Sequence, residues 1–476
     1  MKILNSIRMS LMAVCICACF VSSARAASSV SQYGITWTFS TDRTVGQFVN
    51  GDWWVIGPVT VTSITPAPVV TSFSVNGSMI NPIPGQPQGL YYDSGTNSPA
   101  YAADKNVAMQ LPVTIQPENS LYSTINNPNT WTAGDLMEKT WFKETAVLTI
   151  LSTAPPAGSF RPPYAGANKT IKSNWNVSKM NYSALRSLVA PNAANVPSRV
   201  WLENATQRPL LEMHYNYLNS QWKASWAENK DGGYPRRTYG REISHISSGA
   251  GLFLQTNVSN ATKERLLINM CQWGIDIHGL INNGMQWQSN GGHNLGRFLP
   301  LYIAAKVLGD GDMLIQANGS RGPFQEFQNH YFILQSDIDR PRATGLSVPA
   351  VPYTQAMLGM PEWSSDGRSQ QERASSDFWA DPGYRYVNGA PNCAVIATVT
   401  LMGGRTEMNQ EAYYRYITER YYPLKKGTAS GVLPAYSDQI TFFTRDMWET
   451  YIAGGTIPPV DTSTPPSKVT GVKVVK

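Results

Sequence analysis

Residues 287–297 read WQSNGGHNLGR and bring together several side chains that can bind a polar ligand. His293 can titrate near neutral pH, and the glycines before it let the backbone approach a ligand closely. The alternative is a helix-capping turn with His293 packed as a polar residue. The combination of Trp287, His293, Asn294 and Arg297 favours a ligand-binding loop, which we call the histidine loop.

A second segment, residues 231–242, reads DGGYPRRTYGRE and directly precedes a helical pattern that carries His245. Arginines offer paired N–H donors to an anion, and tyrosines offer phenol groups. The alternative is a solvated loop whose arginines pair with Glu242 and Asp231. The sequence leaves both interpretations open. The residues concerned are Arg236, Arg237, Arg241, Tyr234 and Tyr239.

A third segment, residues 381–389, reads DPGYRYVNG and is again both aromatic and cationic. Tyr384 or Tyr386 could donate or accept a proton. Tyrosine is more often a packing residue with its hydroxyl group bonded, and the sequence favours that role here.

Other chemistries have less support in the sequence. It contains no HExxH, no CxxC, no phosphate-binding glycine loop with lysine and no GxSxG. We therefore predict no metal and no cofactor. The formal net charge is +6, and it becomes +3 without residues 1–26, which hold three basic residues and no acid. Since no long Lys/Arg run exists either, nucleic acid is not a predicted partner.

Glycoside hydrolysis by two facing carboxylates stays open as an alternative chemistry, because a sequence cannot show which acids face each other. The candidates are Glu242, Asp276, Glu362, Asp366, Asp377 and Asp381.

The elements that must position these segments change in character along the chain. Residues 33–153 alternate in short stretches between turn clusters, which predicts an antiparallel β domain arranged as a sandwich. The proline-rich residues 154–163 then read as a linker. Helical periodicity follows, and pairs of helices joined by Gly/Asn-rich loops indicate an (α/α) toroid with its functional groups at one end. The predicted helices are 200–226, 241–255, 262–281, 295–308, 394–402, 410–422 and 441–454.

The predicted domains are a signal peptide at 1–26, a β-rich domain at 27–157, a catalytic toroid at 158–455, and a Pro/Thr linker with the possible start of a truncated β module at 456–476. The signal peptide predicts a secreted or periplasmic protein, and no later segment has the length of a transmembrane span. A lipid anchor on Cys19 is the alternative to release. Cys271 and Cys393 remain after cleavage and could form one disulfide.

The run QWGIDIHG at 272–279, followed by Trp287, the GGH of 291–293 and the LGD of 308–310, resembles bacterial polysaccharide lyases with α/α-toroid catalytic domains. The nearest group is the alginate and glucuronan lyases of polysaccharide lyase family 38. Residues 34–39 and 45–54 look like the opening of the same proteins. The resemblance would span nearly all of the chain from the end of the signal peptide to Gly455.

The resemblance implies β-elimination on an anionic polysaccharide. A base removes the C5 proton of a uronic acid, an acid assists departure of the 4-O-linked sugar, and the carboxylate must be neutralised. Asn294 stands where the family pattern has a small residue, which leaves the subsite preference open. A non-catalytic glycan-binding protein is a third alternative. The predicted roles are proton transfer for His293 and Tyr239, carboxylate recognition for Arg241, Arg297 and Asn294, sugar stacking for Trp287, and substrate contacts for His245, Tyr384 and Arg236.

Overall fold

The computed structural model describes ten stretches of the 476-residue chain, and of residues 383–387 the backbone only. These stretches are 24–70, 75–91, 100–126, 142–213, 240–289, 292, 294–339, 353–363, 383–431 and 439–454.

Within the described residues, the N-terminal part forms one curled, half-barrel sheet of eight strands in the order β5-β7-β8-β3-β2-β4-β6, with β1 also paired to β2. Buried residues at the start of β2 alternate with partly exposed ones, as its sequence ITWTF requires for a half-buried strand. The strands are β1 Arg25–Gln32, β2 Ile35–Gln47, β3 Trp53–Ile56, β4 Val59–Thr65, β5 Ser78–Ile80, β6 Val113–Ile115, β7 Asn119–Asn126 and β8 Phe142–Leu151.

The sheet corrects two details of the sequence prediction. It is one curled sheet rather than a sandwich of two, and it is not antiparallel throughout, because β3 pairs with β8 in parallel. Strands that are joined by a long connection are free to pair in this way.

The C-terminal part is helical, with a two-stranded ribbon of β9 His330–Phe332 and β10 Pro361–Trp363. Several described helices overlap the predicted ones, and two short π-helical turns, Ile417–Tyr421 and Trp448–Ile452, interrupt the later helices. The described α-helices are α1 Arg199–Thr206, α2 Gly240–Leu254, α3 Asn260–Asn282, α4 Phe298–Leu308, α5 Gly311–Gln316, α6 Gln335–Ile338, α7 Gly383–Leu401, α8 Arg405–Met408, α9 Glu411–Tyr416, α10 Tyr422–Lys425 and α11 Phe442–Met447.

The prediction of one helix over 200–226 holds for residues 200–206 and is wrong for residues 207–213. Helix α1 ends at Thr206, and residues 207–213 are not helical. Pro209 explains the end, because a proline disfavours helical geometry in the residue before it and removes a backbone donor. Residues 214–226 lie outside the described part of the chain.

Residues 159–166, which belong in part to the predicted linker, are buried. The Arg161 guanidinium donates from Nε to Asp52 Oδ2 at 2.5 Å and from Nη2 to Asp276 Oδ2 at 2.5 Å. Asp52 directly precedes β3 and Asp276 belongs to α3, so the pair of bridges fastens the sheet to the helices. We call these three residues the Arg161 seam. Only residues 152–157 are mainly exposed, as a linker should be.

Cys271 and Cys393 are both buried and free in this structure, so the disulfide that the sequence allows is not formed. Burial raises the pKa of both thiols, which makes them poor nucleophiles. None of the helices within the described residues is long and apolar enough to cross a membrane.

Candidate functional site

The histidine loop lies against three helices. Helix α4 starts directly after it, and the glycines of the loop contact Ser244 in α2 and Asn388 in α7. Gly296 has φ +93° and lies so near α2 that an added Cβ would be 2.6 Å from the backbone nitrogen of Ser244. Gly292 has φ +88°, and an added Cβ there would be 1.6 Å from Asn388 Oδ1 in α7. The N-terminus of α4, which follows the loop directly, carries a partial positive charge that favours an anion.

A buried ion pair holds the C-terminal end of the histidine loop. The side chains of Arg297 and Glu212 are both 0% exposed. Arg297 donates to Glu212 Oε1 from Nε at 3.0 Å and from Nη2 at 2.6 Å, and Nη1 donates to the Leu295 carbonyl at 2.6 Å. The predicted role of Arg297 therefore needs correction, because its guanidinium binds an internal carboxylate where a substrate carboxylate was expected.

Trp287 has a packing role in the structure. Its indole is fully buried, lies parallel to Phe324 with ring centroids 5.3 Å apart, and donates to Glu212 Oε2 at 3.4 Å. Its backbone forms a bridge to residues 323–325. Because the indole has no exposed face, the prediction that it stacks on a sugar is not supported in this conformation.

Glu326 fixes the centre of the histidine loop. Its Oε1 accepts from the backbone nitrogen of Gly292 at 2.8 Å and of Asn294 at 3.4 Å, so it bonds on both sides of position 293. The Asn294 side-chain amide donates to the carbonyl of Gln288 and closes the loop on itself. The sequence predicted that Asn294 contacts the substrate. In this structure Asn294 is 3% exposed and its side chain is bonded within the loop.

Arg241, in the first turn of α2, forms an ion pair with the adjacent Glu242. Its Nε donates to Glu242 Oε1 at 2.6 Å, and the two residues are 9% and 6% exposed. His245 follows one turn later and is 6% exposed. The ion pair of Arg241 with Glu242 is thus present, but both residues are buried in a helix, and residues 231–239 lie outside the described part of the chain.

Asn388 is the residue that sequence reasoning missed and that best indicates a ligand. It is 3% exposed, and within the described chain neither its amide oxygen nor its amide nitrogen has a hydrogen-bond partner. Asn392 Oδ1, one turn along α7, is in the same condition. Buried polar atoms are normally bonded, so unpartnered ones next to a glycine loop are typical of a place for a ligand or water. The only sequence signal was an asparagine before Gly389 in a predicted loop.

Four predicted site residues lie beyond what the structure describes. His293, Tyr239 and Arg236 are outside the described residues, and Tyr384 is in α7, where only the backbone is described. No group of three or more His, Cys, Asp or Glu side chains in the described stretches is arranged to hold a metal ion.

Protein-family models, curated proteins and solved structures contain no match to this chain. The resemblance to family 38 lyases is therefore a prediction from the sequence alone.

Proposed function

We propose that the chain is a polysaccharide lyase that cleaves a uronic-acid-containing polysaccharide by β-elimination at the histidine loop. The observation that carries the proposal is the buried, unpartnered amide of Asn388 against Gly292, next to position 293. An amide N–H at that place can hydrogen-bond the substrate carboxylate as negative charge develops on it. The N-terminus of α4 adds a positive potential there.

The proposed roles follow from this geometry. His293 takes the C5 proton, and Tyr239 donates to the leaving oxygen. Asn388 hydrogen-bonds the carboxylate, Arg241 is the proposed cation for it although it is paired with Glu242 in this structure, and Arg297 positions the histidine loop through Glu212. His245, Arg236 and Tyr384 remain proposed substrate contacts.

Several described carboxylates around the histidine loop hold protein partners, whereas Asp366, Asp377 and Asp381 lie outside the described residues. Glu212 binds Arg297, Glu242 binds Arg241, and Glu326 accepts two backbone N–H groups. A hydrolase needs one acid that stays protonated and one that is poised as base or nucleophile. Asp276, another candidate, is bound in the Arg161 seam.

We further propose that the helices form an (α/α) toroid with its cleft at the end where α2, α4 and α7 begin. We also propose export by the signal peptide. Cleavage before Ala27 would remove only two of the eight residues of β1, both exposed, and so would leave the sheet intact.

The test is the near-ultraviolet absorbance of the protein with alginate, polymannuronate, glucuronan and a neutral glucan. We expect absorbance to rise with at least one polyuronate, because β-elimination creates a conjugated C4=C5 bond. His293→Ala and Tyr239→Phe should each abolish the rise. His278→Gln is the matched control, since His278 bonds Gln316 and Asn282 and not the histidine loop.

Two results would contradict the lyase. A flat absorbance trace with new reducing ends would identify a hydrolase. No change in either, together with binding of a polyuronate, would identify a non-catalytic glycan-binding protein.

A further inference from the structure

Lys169 is a buried cation whose neighbours are mostly backbone. It is 3% exposed, and Nζ donates to the carbonyl oxygens of Pro163 at 2.8 Å, Tyr164 at 3.1 Å and Gly166 at 2.5 Å. We call these three oxygens the carbonyl cage. An ammonium group has three N–H donors, so each donor can meet one oxygen of the cage.

The carbonyl cage belongs to the same turn of chain as the Arg161 seam. The Tyr164 backbone N–H donates to Asp276 Oδ1 at 3.3 Å, and Pro162 accepts from Arg161 Nη1 at 2.8 Å. The closed turn therefore presents Arg161 to its two aspartates.

The same turn also reaches the candidate site. Tyr164 Oη donates to the Leu210 carbonyl at 2.8 Å and accepts from the Glu212 backbone N–H at 3.2 Å. Glu212 in turn binds Arg297 and Trp287 of the histidine loop. Lys169 is thus connected to the histidine loop through two residues, Tyr164 and Glu212.

We propose that the carbonyl cage is a binding site for a small monovalent cation, which the chain fills with its own Lys169, and that Lys169 thereby positions the histidine loop. Neutral carbonyl oxygens arranged around a monovalent cation replace its hydration shell. The N–H groups of an ammonium ion also form a directed hydrogen bond to each of these oxygens. A primary alkylammonium ion is the ligand class that matches best. The positioning part rests on the proposed lyase function, and the cage itself does not.

The test uses Lys169→Ala in the full chain. Burial, followed by repulsion from Arg161, lowers the pKa of Lys169 to about 7, so the measurement is made near pH 6, where the ammonium form predominates and the cost of burying its charge offsets part of the stability that the cage contributes. We expect the apparent Tm to fall by about 5 °C or more, because three buried carbonyls lose their donor. Added n-propylammonium, which replaces the atoms that the substitution removes, should restore much of the loss.

Two controls make the result specific. Tetramethylammonium has no N–H group and should restore nothing, and neither ion should raise the Tm of the unmodified protein. Absence of rescue by n-propylammonium would overturn the cation site.

Lys169→Met covers the case in which the alanine variant does not fold. It keeps the hydrocarbon stem and removes only the charged group. We expect a lower Tm than that of the unmodified protein near pH 6, and an equal Tm would overturn the proposal.

The positioning part is read from kcat on the polyuronate that the absorbance assay identifies. We expect Lys169→Ala to lower kcat with little change in KM, and n-propylammonium to restore kcat in parallel with Tm. If n-propylammonium restores the Tm of Lys169→Ala but kcat is the same as that of the unmodified protein with and without the ion, Lys169 has only a structural role. If the unmodified protein has no lyase activity, the proposed function fails, and the thermal experiment still decides the cation site.

Discussion

Arg161→Ala is expected to lower the free energy of unfolding by about 3 to 5 kcal/mol, because it leaves two buried carboxylates without their cation. The side chains of Asp52 and Asp276 are each 1% exposed. Burial alone would lower the pKa of Arg161, but Asp276 and Asp52 outweigh it and raise that pKa, so the guanidinium stays charged. The measurement is urea denaturation followed by circular dichroism.

Arg199→Ala is the matched control for this prediction. Arg199 forms an ion pair with Glu203 one helical turn away, but its side chain is 40% exposed. Water screens such a pair, so the expected loss is under about 1 kcal/mol. Similar losses for the two variants would mean that the Arg161 seam is no stronger than a surface pair.

Asn388→Leu should lower kcat/KM by about 10²- to 10³-fold without loss of stability. Leucine has the same branched arrangement of side-chain heavy atoms as asparagine and removes an amide that has no protein partner in the described residues. The free energy of unfolding should therefore stay unchanged or rise, because no buried polar group is left unpaired. Polyuronate cleavage and urea denaturation of the same preparation check both halves.

Asn392→Leu, one turn further from Gly292 along α7, is the control. Its effect on kcat/KM should be clearly smaller, since Asn392 lies one helical turn further along α7 than the residue that contacts Gly292. An Asn388→Leu variant that is destabilised yet fully active would show that the amide serves packing rather than a ligand.

Local patterns predicted the elements better than the contacts between them. The alternation in β2 and the apolar surface of 262–281 indicated a strand and a buried helix, and the structure has both. The parallel pairing of β3 with β8 depends on residues far apart in the sequence. Arg161 pairs with residues 109 and 115 positions away, which no local pattern indicates. The prolines around it were the only local signal, and they predicted a linker.

The same limit applies to the candidate site. The types of Trp287 and Arg297 are those of ligand-binding residues, but their partner Glu212 lies 75 and 85 positions away. The signal that was present is the acid itself, since Glu212 stands alone among Leu210, Leu211 and Met213. If such an acid is buried, it needs a cation or several hydrogen-bond donors as partners.

The Arg161 seam also decides whether the sheet and the helices are interchangeable modules. A division at 157/158, the domain boundary predicted from the sequence, would leave Arg161 with the helices and Asp52 with the sheet. The sheet would then hold a buried carboxylate without its cation, and the Nε–H of Arg161 would lose its acceptor, although Asp276 would stay with Arg161. In evolution or in protein engineering, the sheet could therefore be exchanged only for one that brings an acceptor to the position of Asp52, which makes the two parts a single heritable unit.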